Sequence, residues 1–166
     1  MQIRKSKRED LPTLMSIFAY ARDFMAQTGN AYQWGHNQWP PQEVIEGDIQ
    51  IGKGYVIEEQ GEIVGTFFLD FGENPDPCYD VVEEGAWSCP GPYAVIHRIA
   101  SSGKAHGILN AAVEFALTKV NQVRIDTHED NVVMRGALTK IGFRPIGYIY
   151  VTQDTVRRIA YELIRD

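Results

Sequence analysis

Two stretches of the chain hold residues whose types and spacing could do chemistry. The first is Val95-Ile96-His97-Arg98-Ile99-Ala100-Ser101-Ser102-Gly103-Lys104-Ala105-His106-Gly107-Ile108. An apolar run ends in a turn of small residues, and that turn opens a helical pattern. The first amides of a helix have no partner inside it and carry positive partial charge, so such a turn suits an anion. Gly103, Ala105 and Gly107 let phosphate oxygens approach the backbone, and Lys104 adds a mobile positive charge. A pyrophosphate is a natural guest; a tight strand-to-helix connection is the other reading. The Gly-Lys-Ser/Thr ending of a nucleotide-hydrolase loop is absent, and the spacing is not that of a dinucleotide fingerprint. Within the apolar run, strand alternation places Tyr93, Val95, His97 and Ile99 on one face. A histidine there is either a proton carrier near neutral pH or a hydrogen-bonded core residue.

The second stretch is Val123-Arg124-Ile125-Asp126-Thr127-His128-Glu129-Asp130-Asn131, followed by a helical pattern to Ile141-Gly142-Phe143. Asp126 and His128 share a face by alternation and could bind or deprotonate an amine; a solvated polar turn is the alternative. Asn131 has the type preferred at a helix start, and Gly142 the type preferred just past a helix end.

The elements that must position these residues can be read along the chain. Gln2 to Lys5 suits a short strand. Glu9-Asp10-Leu11-Pro12 opens a helix, with Leu14, Ile17, Phe18, Ala21 and Met25 on its apolar face. Gly29-Asn30 ends it, and an aromatic loop from Tyr32 to Pro41 follows, containing Trp34 and Trp39. Residues 43–51 suit a second helix. Residues 55–58 and 63–71 form a hairpin around Gln60-Gly61. Residues 72–92 hold Pro75, Pro77, Pro90 and Pro92, three glycines and both cysteines, and are expected as an insertion at one edge of the sheet. Then come a strand (93–100), a helix (107–119), a strand (123–126), a helix (131–141) and two strands (143–151 and 156–163). This alternation predicts an α/β fold with an α+β mixed sheet of about seven strands and four helices.

Bulk properties narrow the class. The 166 residues, 44% apolar and 23% charged, suit one globular domain over 1–166. A net charge of −6 argues against a nucleic-acid partner. No apolar run is long enough to span a membrane, and the basic start, Met1 to Arg8, is not followed by a signal-peptide core. A cytoplasmic protein is expected. Cys78 and Cys89 are expected to be reduced, although both lie in one irregular stretch and a bridge between them stays open. The four histidines lack ligand spacing, so no metal is expected.

Taken together and in this order, the two stretches resemble the GCN5-related N-acetyltransferase (GNAT) superfamily. Its loop of the form Gln/Arg-x-x-Gly-x-Gly/Ala matches Ser102-Gly103-Lys104-Ala105-His106-Gly107, and its Asn-led helix with a Gly-Phe ending matches Asn131 through Gly142-Phe143. The final Arg158-Ile159-Ala160-Tyr161 strand also looks like members of the family. The resemblance implies a sheet splayed between its fourth and fifth strands, with acetyl-CoA in the gap. It implies that Ile99 and Ser101 hold the pantetheine, that Gly103, Lys104, Ala105, His106, Gly107 and Ile108 hold the pyrophosphate, and that Asn131 touches the CoA arm. The implied reaction is acetyl transfer to a primary amine of a small molecule or peptide, in a ternary complex. His97 is the first candidate base and His128 the second. Trp34, Trp39 and Asp126 are candidates for the acceptor, and the acidic insertion (Asp76, Asp80, Glu83, Glu84) suits a basic one. Four departures stand out: the loop is short, Ser102 replaces Gln/Arg, Ala105 replaces the middle glycine, and Leu138 occupies the place of a tyrosine that in many relatives protonates the departing thiolate. Leu138 keeps open a non-catalytic acyl-CoA sensor. Edge strands near the C-terminus make a homodimer an expectation.

Overall fold

A computed structural model describes all residues from Met1 to Asp166. One seven-stranded sheet runs through it, in the order β1-β2-β3-β4-β5-β7-β6. The strands are β1 (Gln2–Lys5), β2 (Gly54–Glu59), β3 (Glu62–Gly72), β4 (Tyr93–Ser101), β5 (Gln122–Thr127), β6 (Arg144–Ile149) and β7 (Arg158–Ile164). The helices are α1 (Leu11–Gln27), α2 (Gln42–Gln50), α3 (Ile108–Leu117) and α4 (Val132–Ile141). Only β4 and β5 pair in parallel, so the sheet is mixed. No helix is long and apolar enough to cross a membrane.

Each face of the sheet is covered by what its side chains demand. One face carries Tyr55, Phe67, Leu69, Ala94, Ile96, Val123 and Ile125 against α3 and Leu138 of α4. The apolar stripe of α3 (Ile108, Ala112, Val113, Ala116) repeats at helical spacing and is buried there. On the opposite face, Leu14, Ile17 and Phe18 of α1 and Ile45 of α2 close over Val56 and Ala100.

The segment between β3 and β4 is not an edge decoration. Tyr79, 1% exposed, packs with Tyr93, Val95, Ile149 and Ala160, so the insertion lies across the sheet's second face. The reason is electrostatic. That face of β5 and β7 carries Arg124 and Glu162, directly paired in register and both buried. Buried charges need partners. The insertion supplies them: the Ser88 amide and hydroxyl donate to Glu162, and the Cys89 carbonyl accepts from Arg124. The Arg124 guanidinium also lies 4.1 Å from the Trp87 ring centroid and 3.9 Å from that of Tyr93. The same segment adds one bridge, Glu83 with Tyr148, to the edge strand β6.

Two backbone features decide the site. β4 and β5 are paired only at Ala94–Val123 and Val95–Arg124. Beyond those residues β4 stays with β3 and β5 with β7, so the sheet splits. In β4 the register against β3 also slips between His97 and Ala100, and Arg98 has φ +49°. This is a bulge, with one extra residue on β4. It breaks the alternation expected from the sequence. His97 stays on the face of Tyr93 and Val95, but Ile99 packs with the α3-side core beside Ala94 and Ile96.

Candidate active site

Where the sheet splits, a cavity of about 180 Å³ opens between β4 and β5. Ile96 to Ile99 line one side and Ile125 to Thr127 the other. The aromatic loop closes it with Trp34 and Trp39, α1 adds Met25, and α4 adds Asn131 and Met134. The insertion contributes Asp76 and Cys78, and Arg158 stands at the start of β7.

His97 sits in this cavity between two carboxylates. Its Nε2 lies 2.5 Å from Asp76 Oδ2, and its Nδ1 lies 3.7 Å from Asp126 Oδ2. Unprotonated, the ring donates through Nε2 to Asp76 and keeps Nδ1, which Asp126 faces, as a proton acceptor; protonated, it carries a positive charge between the two carboxylates. Burial raises the Asp76 carboxyl, but the His97 hydrogen bond and charge and the Cys78 amide outweigh it and hold it below its usual value. Asp126 is fixed in turn. Tyr79 Oη donates to its Oδ2 at 2.7 Å, and Arg158 Nη1 lies 3.6 Å from its Oδ1. Burial among carboxylates pushes the Tyr79 phenol well above its ordinary value, so it stays a donor. Arg158 Nη2 donates to Asp154 at 3.1 Å, while its buried Nε has no partner. The other guanidinium on the wall, Arg98, donates to both oxygens of Asp48 at 2.8 Å and leans over Phe68.

At the outer end of the gap, the β4–α3 turn presents backbone amides. Those of Ala105 to Asn110 donate to nothing in the protein, and Gly107, with φ +80°, caps α3 without a side chain. This is the unpaired helix start that an anion can use. The two amides before them are already engaged: Gly103 donates to the Ser101 hydroxyl and Lys104 to the Ser102 hydroxyl. Gly103 is required for a reason other than phosphate access. It has φ +81°, and a Cβ there would lie 2.3 Å from Tyr20 Oη. Lys104 pairs with Glu62 on the surface, and His106 is exposed.

The structure brings several predicted residues together and leaves others apart. His97, Asp126, Trp34, Trp39, Ile99 and Asn131 share the cavity. His128 does not line it: it is 5% exposed, its Nδ1 accepts from the Asp130 amide, and its ring tilts against Tyr32. Asn131 caps α4, its side-chain oxygen accepting from the Met134 amide at 3.2 Å, while its amide group donates to Gln33. Gly142 ends the same helix with φ +113°. Leu138 is fully buried in the α3-side core and offers no hydroxyl. The two cysteines are free.

Tyr79, Arg158 and Gln33 were not singled out as site residues by sequence, and Asp76 only as one of four acids of the insertion suited to a basic acceptor. Gln33 Oε1 accepts from Asn30, Thr127, the His128 amide and Asn131, so it ties the aromatic loop to the end of β5. One signal was available for Arg158: a charge at the head of a mostly apolar strand.

Comparisons with known proteins follow the geometry. No family sequence model and no curated protein matches the chain. Solved structures do. An acetyltransferase of the GNAT family from Streptococcus agalactiae 2603 is 28% identical, with TM-score 0.86, over 99% of this chain and 95% of that one. A GNAT-family acetyltransferase from Listeria monocytogenes 4b F2365 is 15% identical, with TM-score 0.67, over 99% and 94%. A ribosomal-protein-alanine N-acetyltransferase from Brucella melitensis is 16% identical, with TM-score 0.61, over 99% and 100%. Over nearly its full length the chain therefore has the fold of these acetyltransferase structures. The likeness to the Streptococcus agalactiae structure, over nearly the whole of both chains, supports membership of the GNAT superfamily.

Proposed function

We propose that the protein transfers an acetyl group from acetyl-CoA to a primary amine by direct attack in a ternary complex. The observation that carries this is His97, held between Asp76 and Asp126 inside the gap of the split sheet. The residues present fit acetyl-CoA as co-substrate. The unpaired amides from Ala105 to Asn110 suit the pyrophosphate, and the β4 edge beyond Val95, which has no strand beside it, suits an extended pantetheine.

The chain's own part in the reaction follows. An ammonium has no lone pair, so the acceptor must lose a proton before or during attack. His97 takes it, and Asp76 and Asp126 balance the charge the ring acquires. The new N–C bond forms as the C–S bond breaks, the CoA thiolate departs with the electron pair, and the nitrogen gives its second proton to solvent as the amide forms. Backbone N–H groups at the β4 bulge, where the ladder is interrupted, would serve the carbonyl oxygen as its charge grows. With Leu138 in the core, His97 is the group able to return its proton to the thiolate.

The test is product identification. Acetyl-CoA and an amine panel should give acetylated amine by mass spectrometry, with intersecting initial-rate lines and no acetylated protein. An acetylated Cys78, with parallel lines, would contradict direct attack. Tight acetyl-CoA binding with no product from any amine would favour the sensor reading.

A further inference from the structure

We infer that the acceptor is a small, cationic primary amine without a carboxylate or phosphate near its nitrogen, bound at its ammonium by Asp126 and along its body by the Trp34–Trp39 wall. The inference rests on the acetyl-transfer reading above and names the substrate class for that site.

Charge argues first. Asp76 and Asp126 line the cavity, and each cation on its wall is already opposed by carboxylates, with only Arg158 Nε left unpaired. Arg98 is held bidentately by Asp48, and Arg158 is opposed by both Asp126 and Asp154. Four carboxylates thus stand against two guanidinium groups around one histidine. An acceptor carboxylate reaching Arg158 would lie beside Asp126, and like charges at that distance in a poorly solvated site repel strongly. An ammonium meets the opposite field. Asp126 is suited to receive it, because Tyr79 and Arg158 hold the carboxylate in place and its side chain is 4% exposed. The ammonium then lies beside His97, which must take its proton.

Shape argues second. Trp34 and Trp39, from the aromatic loop, and Met25 of α1 give the cavity an apolar side, and indole faces also attract cations. Trp34 is fixed by an edge contact with Phe18 at 5.9 Å. A cavity of about 150 Å³ takes a benzene ring. The about 180 Å³ here must also receive the acetyl group, so the part of the acceptor that enters is no larger than one ring or one terminal side chain.

The test is thiol release from acetyl-CoA with matched pairs that differ by a carboxylate: phenethylamine against phenylalanine, and tryptamine against tryptophan. A trialanine peptide is run beside them. Each amine should exceed its amino acid in kcat/KM by about 100-fold or more. Asp126→Asn should raise KM for the amines about 10-fold or more and narrow that gap, with acetyl-CoA affinity unchanged as the check on folding. Trp39→Ala should raise KM for the same amines. Equal or faster turnover of the amino acids or the peptide would overturn the inference and leave acetyl transfer standing. No thiol release with any acceptor would overturn both.

Discussion

His97 takes its surroundings from three distant parts of the chain. Asp76 lies 21 positions away in sequence, and Tyr79 reaches Asp126 across 47. The histidine itself was legible, because a lone imidazole in an apolar strand stands out. Asp126 was legible too, at the end of a strand, but its contact with His97 was not, and Asp76 and Tyr79 sit in a proline-rich stretch with no periodicity to orient them. General-base catalysis contributes about 10²–10⁴-fold, so His97→Gln should lower kcat by roughly that factor. Acetyl-CoA affinity by calorimetry should hold, and the dependence of rate on pH should flatten at its acid end. An unchanged profile would remove His97 from the mechanism. Tyr79→Phe leaves Asp126 Oδ2 without its donor in a buried site. It should cost about 1–3 kcal/mol of stability by denaturant titration. It should also lower kcat more than it weakens acetyl-CoA binding.

The strands and helices were legible to within a few residues at their ends, because each carries its own period. Two features at this level were not. The β4 bulge is a register slip against β3, and no residue type within β4 announces it; it moved Ile99 to the face opposite His97. The insertion was expected at an edge, yet it covers the charged face of β5 and β7. The complementary charges of Arg124 and Glu162 were visible in the sequence, but their pairing depends on β7 adding beside β5. The insertion's seat can be tested at Gly85, where a Cβ would lie 1.6 Å from the Ile146 carbonyl oxygen. Backbone cannot yield as a flexible side chain can. Gly85→Ala should therefore lift the insertion from β6, loosen Asp76 and Tyr79, and lower kcat at least about 10-fold with acetyl-CoA binding retained. Gly103→Ala acts at the other end of the gap. It forces a side chain into φ +81° against Tyr20, so it should cost about 1 kcal/mol or more of stability and weaken acetyl-CoA binding.

Across the whole molecule, the split between β4 and β5 makes a site out of a sheet. Family resemblance in the two motifs pointed to that split; pattern alone did not, since strand order cannot be read from periodicity. Paired charges across the molecule also set how the fold responds to acid. Arg4 hydrogen-bonds Asp10 and lowers its carboxyl, with burial opposing. In Asp76 and Asp154 burial raises the carboxyl, but hydrogen bonds from His97 in the one case, and from the Val156 amide and Arg158 in the other, bring it lower still. Each lowered group stabilises the fold above the unfolded carboxylate value of about 3.9 and loses that contribution as pH falls through its folded value. Asp48 has the opposite sign: burial, only partly offset by Arg98, raises it, so protonation there opposes the loss. Glu114, hydrogen-bonded by Arg165 on the surface, is lowered too, so with four groups against one the thermal midpoint should fall as pH drops below about 4, and Asp10→Asn should shallow the fall. The most direct test of the central claim is calorimetric titration with acetyl-CoA, followed by a free-thiol assay with phenethylamine present and absent. The account predicts saturable binding at one site and thiol release that requires the amine. No binding of acetyl-CoA would contradict it, because the open turn before α3 and the unpaired edge of β4 would then hold nothing.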